Sequence, residues 1–160
     1  MSKDSIAPIR KEFLVKASQE KTFRTFTERI DAWWPRAHHI GASPLKREVI
    51  EGRTGGRWYG LSEDGTECNV GKVLVWDPFF KVLLTWQITA DWKYDPDFVT
   101  EVEVQFIEKE PKLTLVKFEH RQLDRYGDAA AATRNSLDAK DGWNGNLDAF
   151  RALAEGEAQQ

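Results

Sequence analysis

His120 is the residue of this chain best suited to acid–base chemistry. It ends the run Lys112 to His120, in which Thr114, Val116, Phe118 and His120 share one face and Leu113, Leu115, Lys117 and Glu119 the other. This is the period-two pattern of a half-buried strand, and it turns the imidazole inward. A general base needs an orienting carboxylate. Glu101, Glu103 and Glu119 are nearest in pattern, and all fall on the opposite face. The alternation therefore argues against a catalytic dyad, the competing reading is a buried histidine bonded within the fold, and no catalytic residue is assigned. His38-His39 has no Cys, Asp or Glu at ligand spacing, so neither a metal site nor a cofactor is expected. Gly55, Gly56 and Gly60 lie before and within a strand rather than opening a helix, which excludes a dinucleotide fingerprint and points to a bulge or to sheet curvature. Cys68, the only cysteine, has no activating neighbour in the sequence.

Binding is the stronger reading. Seven Trp in 160 residues supply large, shaped apolar surfaces, which line pockets as readily as cores. Trp86 and Trp143 fall on inward stripes, Trp34 closes a helical segment beside an opening, and Trp58 shares a face with Gly56 and Gly60. With Val102, Val104, Phe118 and Phe150, and with Thr100, His120 and Asn146 as the few inward polar groups, they make the expected lining of a ligand cavity. Its walls would be Trp86, Val102, Val104 and Phe118 on the sheet and Trp143, Asn146 and Phe150 on a covering helix. The same side chains packed on one another would be plain core, and both readings stay open. Arg57 is expected to pair with Glu101 and Glu103 across the outer face.

The elements that position these residues follow from periodicity and turn chemistry. Ile9 to Val15 reads as an outer strand. Ser18 is an N-cap for a helix carrying Phe23, Phe26 and Ile30, either continuous or broken near Thr27, that stops at Trp33-Trp34-Pro35. Leu45 to Ile50 reads as a strand. From Gly55 to Ile88, β-branched and aromatic runs separated by Asp64-Gly65 and Asp77-Pro78 read as a meander. Ala90 to Asp97 is a polar loop carrying Trp92 and Tyr94, a candidate gate. Phe98 to Ile107 and Lys112 to His120 are two further strands. Ala139, Trp143, Asn146, Leu147, Phe150, Leu153 and Ala154 trace one helical stripe, with Gly142 and Gly145 inside it as sites of close approach or bending.

Length favours a single domain over residues 1–160, ordered from about 8 to 155, able to bury roughly two thirds of its unfolded surface. The net charge of −3 is opposite in sign to a nucleic-acid footprint, so no nucleic-acid partner is expected. No apolar run approaches the roughly 18 residues of a membrane span. With one cysteine and no secretory h-region at the N-terminus, a cytoplasmic location is the default expectation.

The order strand, helices, six strands, long C-terminal helix resembles the helix-grip fold, also called START-like or SRPBCC. Trp33-Trp34-Pro35, Gly55-Gly56-Arg57-Trp58-Tyr59, Gly71 to Pro78, Leu84-Thr85-Trp86, Thr100 to Phe106, Glu119-His120 and Gly142-Trp143 resemble its bacterial branch similar to the activator of heat-shock protein 90 ATPase. The resemblance implies an α+β fold in which a curved antiparallel sheet grips the C-terminal helix over a cavity. Three functions are weighed on it. The first is non-catalytic binding of a small hydrophobic or amphipathic ligand. The second is a chaperone-interaction role like that of the named relative. The third is an enzyme of the cyclase or hydrolase type in which His120 and Asn146 handle protons.

Overall fold

The alternating runs become seven antiparallel strands in the computed structural model, which describes residues 6–158. They are β1 (Ile9–Val15), β2 (Leu45–Ile50), β3 (Arg57–Ser62), β4 (Glu67–Asp77), β5 (Lys81–Trp86), β6 (Thr100–Glu110) and β7 (Leu113–Arg121). Their spatial order is β1-β7-β6-β5-β4-β3-β2. The meander therefore runs on through β7, and β1 closes against β7 as an edge strand, with Ile9 opposite His120. Register shifts between Leu45 and Arg47, Trp58 and Tyr59, Val73 and Val75, and Glu108 and Glu110 add residues to one strand at a time. Each bends its strand and raises the local twist, and together they curl the sheet.

Among the described residues four α-helices complete the fold, α1 (Gln19–Thr27), α2 (Ile30–Trp33), α3 (Ala130–Leu137) and α4 (Gly145–Ala158), with a 3-10 helix Leu123–Ala129 leading into α3. Ser18 caps α1, its side chain accepting from the Lys21 amide at 3.1 Å. The break after Thr27 is real, and the Trp33 indole N–H bridges it to the Thr25 carbonyl at 2.9 Å. Trp34 before Pro35 is extended, with ψ 125°, as the proline ring demands. No helix among the described residues is long and apolar enough to cross a membrane.

The fold is the α+β helix-grip arrangement, with one difference in its C-terminal segment. The expected stripe from Ala139 to Ala154 is not one helix. After α3, Ala139 is extended (ψ 174°), Lys140–Asn144 makes a wide π-type turn, and Gly142 takes φ −112°, ψ −134° inside it. The Gly142 amide bonds to the Ala139 carbonyl at 2.8 Å. A β-carbon at Gly142 would collide with the Leu137 carbonyl, and one at Gly145 with that of Lys140. The two glycines thus build the turn, which presents Trp143, while α4 itself buries Leu147, Phe150 and Ala154.

The expected outer-face ion pair also has a different partner. Arg121 on β7 bonds to Glu101 at 2.9 Å and Glu103 at 2.8 Å. Arg57 lies over the Tyr59 ring and pairs with Glu67. Cross-strand partners depend on register: β6 lies beside β7, three strands from β3.

Candidate functional site

Two small strips of chain decide where space is left. On the inner face of β3 and β4, Gly60, Ser62, Cys68 and Val70 replace the large residues found on β6 and β7. Over them opens a cavity of about 720 Å³. Trp86, Ile88 and Trp92 form one wall, Trp34 and the loop Ala37 to Gly41 another, and Leu137, Trp143 and Asn146 the cover. Trp92 sits at the tip of the Ala90 to Asp97 loop, half exposed and at φ +61°, a left-handed conformation strained for a bulky residue. The loop is a tight hairpin: Ile88 bridges Tyr94, and the Thr89 amide bonds to the Lys93 carbonyl at 2.8 Å.

Of the expected lining, Trp34, Trp86, Trp143 and Asn146 reach the cavity. Trp58, Thr100, Val102, Val104, Phe118, His120 and Phe150 do not; they are packed in the core, each no more than 2 % exposed. The space expected between Val102, Val104 and Phe150 is filled: the Phe150 ring lies 5.3 Å from Phe26, 5.6 Å from Trp33 and 6.3 Å from Phe13. Phe118 packs on Trp143 at 4.7 Å. Alternation identified the inward residues but carries no information on what stands opposite them.

His120 is sealed beneath the cavity wall. The Trp143 indole N–H donates to Nδ1 at 3.1 Å, which leaves the ring proton on Nε2, 2.8 Å from the Thr100 hydroxyl. Thr100 in turn donates to the Trp86 carbonyl at 2.9 Å. Every polar atom of the chain of bonds is used. Burial pushes the imidazole down to about 3, so it is neutral at pH 7 and holds Trp86 and Trp143 in place rather than exchanging protons.

Two further indoles on the cavity wall are bonded in the same way. Trp34 Nε1 donates to the His38 carbonyl at 2.8 Å. Trp86 Nε1 donates to the Tyr126 hydroxyl at 3.1 Å, which donates onward to the Ile88 carbonyl. With their N–H groups occupied, Trp34, Trp86 and Trp143 offer the cavity apolar ring surface, Trp34 edge-on to Trp143 at 5.9 Å and Trp86 tilted against it at 5.8 Å.

Glu48 is the residue that periodicity missed. The bulge after Leu45 puts both Leu45 and Glu48 on the inner face, and the Glu48 side chain ends in the cavity with the residue only 3 % exposed. Trp58 Nε1 donates to its Oε2 at 2.7 Å. Gly60 lies directly opposite, and a β-carbon there would stand 3.1 Å from Oε1. Burial pushes the carboxyl up to about 8; the Trp58 bond opposes the rise, the charge of Asp31 adds to it and Arg36 counters it. Glu48 thus keeps its proton at pH 7. Two signals could have found it: Trp58, inward on β3, needs an acceptor, and Gly60 leaves room for one.

Asn146, 4 % exposed, lines the same space, and its Oδ1 makes no well-formed hydrogen bond, only a weak one from the neighbouring His38 ring. Its side chain stands beside the His38 ring, which burial lowers while Asn146 and the charge of Asp141 pull it back up. Among the described residues no cluster of three or more His, Cys, Asp or Glu could hold a metal ion.

Residues 16–155 match the sequence profile of the family described as "Activator of Hsp90 ATPase homolog 1-like protein". Among solved structures, the chain is similar to an anthrahydroquino-gamma-pyrone synthase, Txn09, at 34% identity, covering 94% of this chain and 98% of that one with a TM-score of 0.66. It is similar to the self-sacrificing resistance protein CalC from Micromonospora echinospora at 31% identity, covering 96% and 97% with a TM-score of 0.71. The Aha1 dimer from Colwellia psychrerythraea, at 19% identity and a TM-score of 0.63 over 94% of this chain and 97% of that one, shares the fold. No curated protein matches the chain by sequence.

Proposed function

The chain belongs to the Activator of Hsp90 ATPase homolog 1-like family, and from that premise we propose that it binds a small hydrophobic or amphipathic molecule with fused aromatic rings. The observation that carries this is the cavity of about 720 Å³ walled by Trp34, Trp86, Trp92 and Trp143. Its size suits a molecule of three or four rings, and indole surfaces favour flat π-systems. The name of the 34% identical synthase points to fused-ring pyrone chemistry, which agrees with that shape.

Xanthone, a neutral tricyclic pyrone, is a direct probe. Binding should quench or shift indole emission and raise the melting temperature, by about 2.7 kcal/mol of added stability at a hundredfold excess over Kd. Absence of both responses across xanthone, flavone and anthraquinone would remove the reading. A second reading, ring-closing catalysis, is favoured by Glu48, a buried carboxyl that keeps its proton at pH 7, and by the synthase relative. It replaces the expected proton handler His120, which is sealed off. Turnover of a phenolic diketone to a pyrone, lost in Glu48→Gln, would select it over simple binding. The chaperone-interaction reading stands on the family's description alone.

A further inference from the structure

Several polar residues interrupt a mostly apolar cavity wall, and two of them, Glu48 and Asn146, are buried with a side-chain oxygen that makes no well-formed bond to the protein. Glu48 Oε2 is held by the Trp58 indole N–H, which fixes the carboxyl plane, while Oε1 faces the gap left by Gly60 and receives no hydrogen bond. Asn146 Oδ1, on α4 at the cover, is buried without a well-formed hydrogen bond, with the His38 ring beside it as a weak donor that a ligand hydroxyl would replace. A polar atom shut away without a full partner is costly, so such groups at a cavity wall are where a ligand can complete the bonding.

We propose that Glu48 and Asn146 form a recognition pair for a hydroxylated polycyclic ketone, Glu48 donating to a ring carbonyl and Asn146 Oδ1 accepting from a hydroxyl of the same molecule. The proposal rests on the cavity being an aromatic-ligand site. The two groups are complementary at these atoms: the Glu48 carboxyl offers its proton, and Asn146 accepts one at Oδ1. Ligands with a carbonyl and a hydroxyl on a flat frame satisfy both, whereas a frame lacking the two leaves both unmet and a carboxylate in place of the hydroxyl has no proton to give Asn146 Oδ1. The charged and titratable groups around Glu48 are Asp31 and Arg36 from α2 and its exit, and His38, His39, Cys68 and Asp141 on the same cavity. Because Glu48 loses its proton near pH 8, its donation to a carbonyl should end above that pH.

Binding of xanthene, xanthone and a hydroxyxanthone, followed by indole fluorescence from pH 6 to pH 9.5, separates the possibilities. At pH 6 the ketone should bind roughly tenfold tighter than xanthene, which keeps the ring ether but lacks the carbonyl, and the hydroxyketone tighter again by a similar factor, the size of one buried hydrogen bond each. The xanthone advantage should fade above pH 8. It should vanish at all pH values in Glu48→Leu, and persist without pH dependence in Glu48→Gln, whose amide still donates. Asn146→Leu should erase only the hydroxyl increment. Retained xanthene binding serves as the folding control for each variant. If xanthene and xanthone bind alike, the recognition pair is overturned while the aromatic-ligand reading stands. If none of the three binds, both fall. A xanthone advantage unchanged in Glu48→Leu would also overturn the assignment.

Discussion

The two halves of the sheet's inner face are built from the same alternation and end in opposite states. Under β6 and β7, Val102, Val104, Phe106, Val116 and Phe118 meet Phe23, Phe26 and Phe150 from the helices, and all are 2 % exposed or less. Under β2, β3 and β4, Gly60, Ser62, Cys68 and Val70 face the adjoining ends of α3 and α4, the turn between them and the Ala37 to Gly41 loop, and space remains. The buried ionisable groups differ in the same way. His120, in the filled half, has both ring nitrogens bonded to protein. Glu48, in the open half, has one oxygen bonded and the other left to the cavity. Size of side chain and the nature of the cover, rather than inward orientation, decide whether a sheet face becomes core or site.

That contrast can be broken at the filled half first. Phe150→Ala should cost about 3 to 5 kcal/mol in denaturant unfolding, because three rings would lose their partner in a solid core. A loss below about 1 kcal/mol would mean this half is loosely packed. His120→Leu should cost roughly 1 to 3 kcal/mol by leaving the Trp143 N–H without an acceptor, and near-ultraviolet circular dichroism should report the disturbed indole.

The two ionisable groups make opposite arms of a pH–stability curve. His120 is held neutral down to about 3 against an ordinary 6.5, so the unfolded chain takes up the extra proton and stability falls as pH drops below 6.5. Glu48 keeps its proton up to about 8 against an ordinary 4.5, so the folded chain is the one with the extra proton and stability falls as pH rises from 4.5 to 8. Each slope is at most about 1.4 kcal/mol per pH unit. The two cancel between 4.5 and 6.5, giving a flat top there. Glu48→Gln should flatten the alkaline arm and leave the acid arm; urea titrations at half-unit intervals would show whether it does. The smallest effect is expected at Gly60→Ala. The new methyl meets only the movable ends of Leu45 and Glu48, 3.0 and 3.1 Å away, so stability should change by less than about 1 kcal/mol while xanthone binding weakens.

The fold was legible because the inward faces of β6, β7 and the meander keep a strict period of two, and because Ser18 and Pro35 mark the helical segment. The site was legible in part. Trp86, Trp143 and Asn146 could be placed inward from pattern, and Trp34 beside an opening from its place at the end of the helical segment, but the cavity lies on the strands with small residues rather than on those with Val and Phe. Glu48 escaped because a bulge after Leu45 resets which residues of β2 face inward, and bulges leave no periodic trace. Gly142 and Gly145 were visible as anomalies; their meaning needed the carbonyls of Leu137 and Lys140, which only the folded chain brings near. Arg121 as the partner of Glu101 and Glu103 needed strand register.

The central claim is that ligand occupies the open half and only that half. Methyl-labelled protein with bound xanthone, examined by intermolecular nuclear Overhauser effects, tests it most directly. The account predicts contacts from xanthone to the methyls of Leu45, Val70, Ile88 and Leu137, with none to Val102, Val104 or Val116. Contacts to the methyls of Val102 and Val104, or saturating binding with no contact to Val70 and Ile88, would contradict it.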